Sequence, residues 1–222
     1  MNTLRKATRE EIDKFIEYRA NHIALVRRIG TTVFGTDFPE HDKDKIACDA
    51  DDLNLYALRN AMQNGDYNPP EEDKVILSNL VGRHVNSQEH HPEYWDDGVT
   101  VDDFNYEEPT TTDASRMPAK ALLELVCDWC AVAIKLNKGL FRWFNKTCTG
   151  DTPRFRFTPA QTLYIILCIK SVQNKVVEEK LYYPGVRYTA KKDEPVLEED
   201  VVRYLNYLAL HSDELADIIE PA

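Results

Sequence analysis

No run of apolar residues in this chain approaches the roughly 18 that a bilayer span requires. The stretch 1–11 alternates charges and lacks an apolar segment, so a secretory leader is not expected and a cytoplasmic setting is. Cysteine is sparse. Five residues, an odd number at no framework spacing, point to reduced thiols rather than a disulfide scaffold. Cys127 and Cys130 form a CxxC, but they fall inside a helical pattern and not at the strand-to-helix turn of a redox motif. Positive charge is also scarce. With 27 Lys and Arg against 38 Asp and Glu, the net charge is −11. Such a surface repels phosphate backbones and argues against general nucleic-acid binding outside a local basic cleft. A single nucleotide or phosphate ester needs only a pocket. Internal repeats are absent, and no segment reads convincingly as a sheet strand.

What the chain does have is helical periodicity. Its 222 residues, 43% hydrophobic and 29% charged, suit one packed domain or a domain with an added helical layer. A first helix is expected over 9–29, capped by Thr8 with Glu11 completing a capping box. Ile12, Phe15, Ile16, Ile23, Val26 and Ile29 recur at helical spacing, His22 shares their stripe, and Gly30 reads as the stop. A second helix is expected from near His41, carrying Ile46, Leu53, Tyr56 and Leu58, and a third over 71–89 on Val75, Ile76, Leu80 and Val81. Pro92 disfavours helix at His91, so that helix should end near His90. Residues 96–114 are acidic and aperiodic and read as a long surface loop of the kind that often forms a lid. Further helices are expected over 115–137, with Pro118 in the first turn and Gly139 at the end, over 158–180 and over 196–211. The stretch 182–188 reads as a hairpin or loop. The fold class is all-α.

Five of the six histidines precede residue 92. His22 lies on an apolar helix face, where a histidine needs a partner to offset desolvation. His41-Asp42 is an adjacent pair that can serve one ion at a helix start or between helices. His84, His90 and His91 supply three more imidazoles, the commonest metal-ligand type. Asp128 stands within Leu122-Leu123-Glu124-Leu125-Val126-Cys127-Asp128-Trp129-Cys130-Ala131-Val132, where an ionised carboxylate is costly without a cation or donors. Lys45 and Arg83 lie near enough in sequence to neutralise charge on a phosphoryl group. Tyr94 and Trp95 suit either core packing or a nucleobase wall.

Read together, the order is His, His-Asp, a His cluster, then Asp. This order resembles the HD superfamily of metal-dependent phosphohydrolases. In particular, His41-Asp42-Lys43-Asp44-Lys45, His90-His91-Pro92-Glu93-Tyr94-Trp95 and Glu124-Leu125-Val126-Cys127-Asp128-Trp129 resemble an uncharacterised HD-like family of bacteria and their phages. The resemblance covers residues 18–137. It implies an HD-domain-like helical bundle over 1–140; residues 141–222, which the resemblance does not cover, are expected as a helical C-terminal extension packed on it. It implies one or two divalent ions (Mn, Fe, Co, Ni, Zn or Mg) held by His22, His41, Asp42 and Asp128, with His84 and His90 or His91 completing a second site. Asp42, Asp128 and Lys45 would be catalytic, and Lys45 and Arg83 would bind substrate. Lys43-Asp44-Lys45 departs from the usual pattern after the pair, which bears on the role of Lys45. The implied activity is hydrolysis of a nucleotide or similar small phosphate ester. An HD-type di-iron oxygenase and a non-catalytic metal-binding or interaction protein are the alternatives, and a homo-oligomer is compatible with each.

Overall fold

The computed structural model describes residues 4–100, 111–149 and 153–189. The first helix, α1, is Arg9–Ile29. The Thr8 hydroxyl accepts from the Glu11 amide, and the Glu11 carboxylate accepts from the Thr8 amide, so the expected capping box is formed. Phe15, His22, Leu25, Val26 and Ile29 make its buried face, while Ile16 stands 37% exposed. Gly30 does not stop the chain's winding. A wide π turn continues over Gly30–Phe34 and ends at Gly35, which takes a left-handed φ of 70°. Gly30 serves a different need: a Cβ there would lie 2.5 Å from the Thr36 carbonyl oxygen and 2.7 Å from the Phe38 ring. The missing side chain lets the following loop fold back on α1, burying Phe38 and then His41 and Asp42.

The helix expected from His41 is split in two. A short helix α2, Lys43–Ile46, is followed by α3, Ala50–Asn64. Asp49 breaks the run because its side chain accepts from the amides of Asp51 and Asp52, capping α3 afresh. The helix α4 is Glu71–Ser87. It buries Leu77 and Leu80, leaves Val75 at 59% exposure, and stops two residues before the expected 89, since Gln88 is already extended. A short 3₁₀ turn, Pro92–Trp95, follows the two histidines.

The most apolar helix, α5, is Ala119–Lys135, with Pro118 as its N-cap rather than in its first turn. It ends at Lys135, before Gly139, and just past its Leu136 cap Asn137 takes a φ of 49° while its amide reaches the Ile134 carbonyl. A further helix that periodicity did not reveal, α6, is Arg142–Cys148, and α7 is Pro159–Lys175 with the Thr158–Gln161 capping box at its start. It is shorter than expected, ending before 180. The stretch 182–188 is irregular, with Gly185 at a φ of 74°. The loop expected over 96–114 contains a strand, β1 (Thr112–Asp113), which pairs in parallel with β2 (Phe155–Arg156), Thr112 opposite Phe155. Residues 101–110 of that loop and the helix expected over 196–211 lie outside the described residues.

The described chain is therefore all-α apart from this two-residue ladder. α5 packs against both α1 and α7, α1 against α3, and α3 against α4. The main core joins Leu25, Val26 and Ile29 of α1 to Leu122 and Leu125 of α5, Phe141 and Phe144 near α6, and Ile165 and Ile166 of α7. It includes residues on both sides of residue 140. A smaller cluster of Phe15, Tyr56, Ala57 and Leu80 ties α1, α3 and α4 together. The polar site lies between these two cores.

Candidate metal centre

Four elements deliver the site. α1 brings His22, the loop before α2 brings His41 and Asp42, α4 and its exit bring His84, His90 and His91, and α5 brings Asp128. Asp42 is held at φ 54° and ψ 30°, a left-handed conformation that costs energy for a residue with a side chain, though Asp tolerates it better than most. This turn aims its carboxylate inward, where it is 2% exposed.

Two groups of atoms face the two oxygens of Asp42. On one side, His22 Nε2 lies 3.3 Å from His41 Nε2, 3.0 Å from Asp128 Oδ1 and 3.8 Å from Asp42 Oδ2. On the other, His84 Nε2 lies 3.0 Å from His91 Nε2 and 3.3 Å from Asp42 Oδ1, and His90 Nε2 lies 3.8 Å from the same oxygen. The triads His22, His41, Asp42 and His84, His90, His91 each converge tightly enough to hold an ion. All seven residues expected as metal ligands are thus brought to one place. The structure brings both His90 and His91 to the cluster. Both leave the helix: the turn after Gln88, not a shared helical face, carries His91 back to His84.

The donor set fits cations. His41 Nδ1 is 3.0 Å from Glu124 Oε1, and His84 Nδ1 is 2.8 Å from Asp44 Oδ2. A neutral imidazole whose Nδ1–H donates to a carboxylate leaves a bare lone pair on Nε2. Each of these lone pairs faces another imidazole nitrogen, an arrangement that repels unless a proton or a cation lies between. Two atoms bound to one ion at about 2.0–2.1 Å and roughly 90–110° apart are separated by about 2.9–3.4 Å, the spacing of the His22–His41, His22–Asp128, His84–His91 and His84–Asp42 contacts. Asp42 Oδ1 and His90 Nε2 are moreover buried without any hydrogen-bond partner among the described residues.

Electrostatics agree with that chemistry. Burial alone would raise the Asp42 carboxyl, but Lys45, His41, His84 and His22 outweigh it and hold the group well below its usual range. Asp128 is likewise lowered, its burial outweighed by the hydrogen bond to His22 and by the other imidazoles. Burial and neighbouring His41 push His90 down to about 3, and burial with His90 and His84 depresses His91, so both are neutral and ready to bind. His41 differs. Burial opposes its charge, but Asp42, Glu124 and Asp128 together raise it. An ion must displace that proton. Divalent-ion affinity is therefore expected to fall by about tenfold per pH unit as pH drops through the His41 titration, one proton being exchanged per ion there. Competition titrations against a chelator between pH 5.5 and 8 check this; an affinity flat over that range would contradict it.

Beside the cluster opens a cavity of about 600 Å³. His22, Asp42, His84, His91 and Asp128 line its floor. Its walls carry Arg19, Lys45, Arg59, Lys74, Lys135 and Arg154, a local concentration of cations in an acidic chain. Lys45 reaches the site as expected, with Nζ 2.8 Å from Asp42 Oδ2. Arg83 does not. It precedes His84 on α4, is rotated about 100° from it, and pairs with Asp52 of α3 at 2.5 Å. Its expected place is taken by Arg154 beside β2, which holds Glu93 at 3.0 Å. Neither Tyr94 nor Trp95 lines the cavity. Trp95 Nε1 donates to the Glu89 carbonyl at 2.8 Å, and Tyr94 is exposed, so Trp129, Trp143 and Phe155 form the aromatic wall instead. Glu124 and Asp44 were not foreseen as orienting groups. Glu124 could have been found as the residue one turn before Asp128 in the same apolar run. Cys127 and Cys130 are packed in the core, and burial pushes both thiols up, the opposite of a reactive or metal-binding thiolate.

Among the described residues no helix is long and apolar enough to cross a membrane. No curated protein and no solved structure matches the chain. A family model does match, over residues 11–171, which spans α1 through most of α7 and crosses the division expected at 140. The chain belongs to the family described as Family of unknown function (DUF5662).

Proposed function

We propose that this protein is a metal-dependent phosphohydrolase of the HD type, acting in the cytoplasm on a nucleotide or similar small phosphate ester. One observation carries the reading: a buried carboxylate, Asp42, turns one oxygen to each of two imidazole groups on the floor of a cavity walled by cations. Five histidines and two aspartates form a mixed nitrogen and oxygen set, which suits Mn, Fe, Co, Ni, Zn or Mg. When bound, a pair of such ions supplies Lewis acidity toward a phosphoryl oxygen and acidifies water, the chemistry that phosphoester hydrolysis needs near neutral pH.

The chain's own residues do the remaining work. His22, His41 and Asp128 would hold one ion, His84, His90 and His91 the other, and Asp42 would join them. Glu124 and Asp44 fix the ring orientation of His41 and His84, so the ligands are arranged before any ion arrives. The Tyr56 hydroxyl donates to Asp44 at 3.1 Å and steadies that carboxylate. The Lys45 ammonium rests on Asp42 at the cavity edge, placed to offset charge developing on a phosphoryl group. Lys45 and Arg154, the cavity cations beside the cluster, draw an anionic ester inward against the repulsion of an acidic surface. The free thiols suit a reducing compartment.

A set of five imidazoles suits iron as well as zinc or nickel, which keeps the oxygenase reading as the second choice. Both are tested by loading the purified chain with each candidate ion and assaying phosphate release from a panel of nucleotides and sugar phosphates. Release that needs metal, stops with chelator and is lost in Asp128→Asn is the expected result. Oxygen consumption by the iron form without phosphate release would favour the oxygenase, and neither activity with any ion would contradict both.

A further inference from the structure

Lys135 ends α5, seven residues after Asp128, and both line the cavity. Two helical turns separate them, about 10 Å along the axis. The side chain is half-buried, and its Nζ stands 3.7 Å from the centre of the Tyr18 ring. That ring lies 5.8 Å from the ring of His22, which puts the ammonium within about 9.5 Å of the metal-binding face. Other cations of the cavity are already engaged. Lys45 is held by Asp42, Arg154 by Glu93 and Lys74 by Glu71, and Arg19 donates to the Lys45 carbonyl. Around Lys135, no carboxylate of the described residues comes within ion-pair distance. A ring face partly offsets the desolvation of an ammonium, but it supplies no hydrogen-bond acceptor. Burial accordingly disfavours the charged form of this lysine. The rings of Trp129 and Phe155, which line the same cavity, are stacked 6.2 Å apart.

A half-buried ammonium with three donors and no carboxylate partner among the described residues, facing the cavity that the His and Asp cluster lines, is a place for an anion. We propose that Lys135 is a specificity-determining residue: it receives the second anionic group of a substrate whose scissile phosphate lies at the metal centre. The preferred ligand is then a small molecule with two anionic groups, such as a bisphosphate or a nucleoside diphosphate, not a simple monoester. The identity of the first group rests on the phosphohydrolase reading; the role of Lys135 rests on the cavity.

The test is calorimetric binding to the metal-loaded full chain, using matched pairs: a hexose 6-phosphate against its 1,6-bisphosphate, and a nucleoside 5′-monophosphate against its 5′-diphosphate. Wild type is expected to bind the doubly anionic member of a pair about tenfold or more tightly, the order a charged hydrogen bond contributes. Lys135→Gln should abolish that preference while changing monophosphate affinity by no more than about twofold, since its contact is with the second group alone. Lys135→Arg, which keeps the charge, should retain it. A wild type without the preference, or a preference that survives Lys135→Gln, overturns the proposal and leaves the hydrolase reading standing. Tight binding that depends on Lys135, with no turnover of any ligand, sinks the hydrolase reading alone. Binding of no phosphate compound at all sinks both.

Discussion

Asp42→Asn should leave a folded protein that holds neither ion firmly and hydrolyses its substrate at least about a hundredfold more slowly. Asn is chosen because it tolerates the left-handed backbone at this position nearly as well as Asp does, so the φ of 54° is not itself disturbed. What is lost is the charge that faces His22 and His41 with one oxygen and His84 and His90 with the other. Replacing groups that merely orient metal ligands typically costs 10–100-fold in affinity or activity, and removing a carboxylate shared by two sites should cost at least as much. Circular dichroism shows whether the fold survives, and metal analysis with the activity assay reads the effect. A variant that keeps both ions and full activity would remove Asp42 from the centre.

Bound metal should also raise the melting temperature. The folded chain brings the imidazoles of His22, His41, His84 and His91 to about 3 Å of one another and leaves Asp42 Oδ1 without a hydrogen-bond partner among the described residues, so an ion held there is expected to bind the folded chain far better than the unfolded one. With free metal a hundredfold above its dissociation constant, linkage adds about 2.7 kcal/mol. In a chain of this size each kcal/mol moves Tm by about 2–4 °C, so the shift should be about 5–10 °C. Asp128→Ala, which removes the carboxylate 3.0 Å from His22, should abolish the share of the gain that comes from the first site. Differential scanning calorimetry with and without chelator measures it. An apo protein whose Tm ignores every candidate ion contradicts the linkage.

Much of this was legible from local chemistry. The capping box of Thr8–Glu11 needs only residues three apart, and it formed. Asp128 stood out because an apolar helix gives an ionised carboxylate nothing to pair with, and its partners proved to be His22 and the cluster. What depended on distant contacts was not legible. Gly30 looks like a stop signal, yet the Phe38 ring packed against it decides its role. The side of α4 on which Arg83 falls follows from where Asp52 of α3 lies, and nothing beside Arg83 in sequence reports that. Arg154 enters the cavity through the parallel pairing of β1 with β2, two-residue strands too short to show a period. The exit from α4 at Gln88 places His90 and His91 together, where a regular helix would have set them about 100° apart.

The central claim is a two-ion centre with Asp42 between its halves, and elemental analysis of the metal-loaded chain tests it most directly. After equilibration with each of Mn, Fe, Co, Ni, Zn and Mg and removal of free ion, at least one metal should be retained at two equivalents per chain. His84→Ala should retain about one, because only the His22, His41 and Asp128 side stays complete. A folded wild-type chain that retains no ion, or a His84→Ala variant that still holds two, would contradict it.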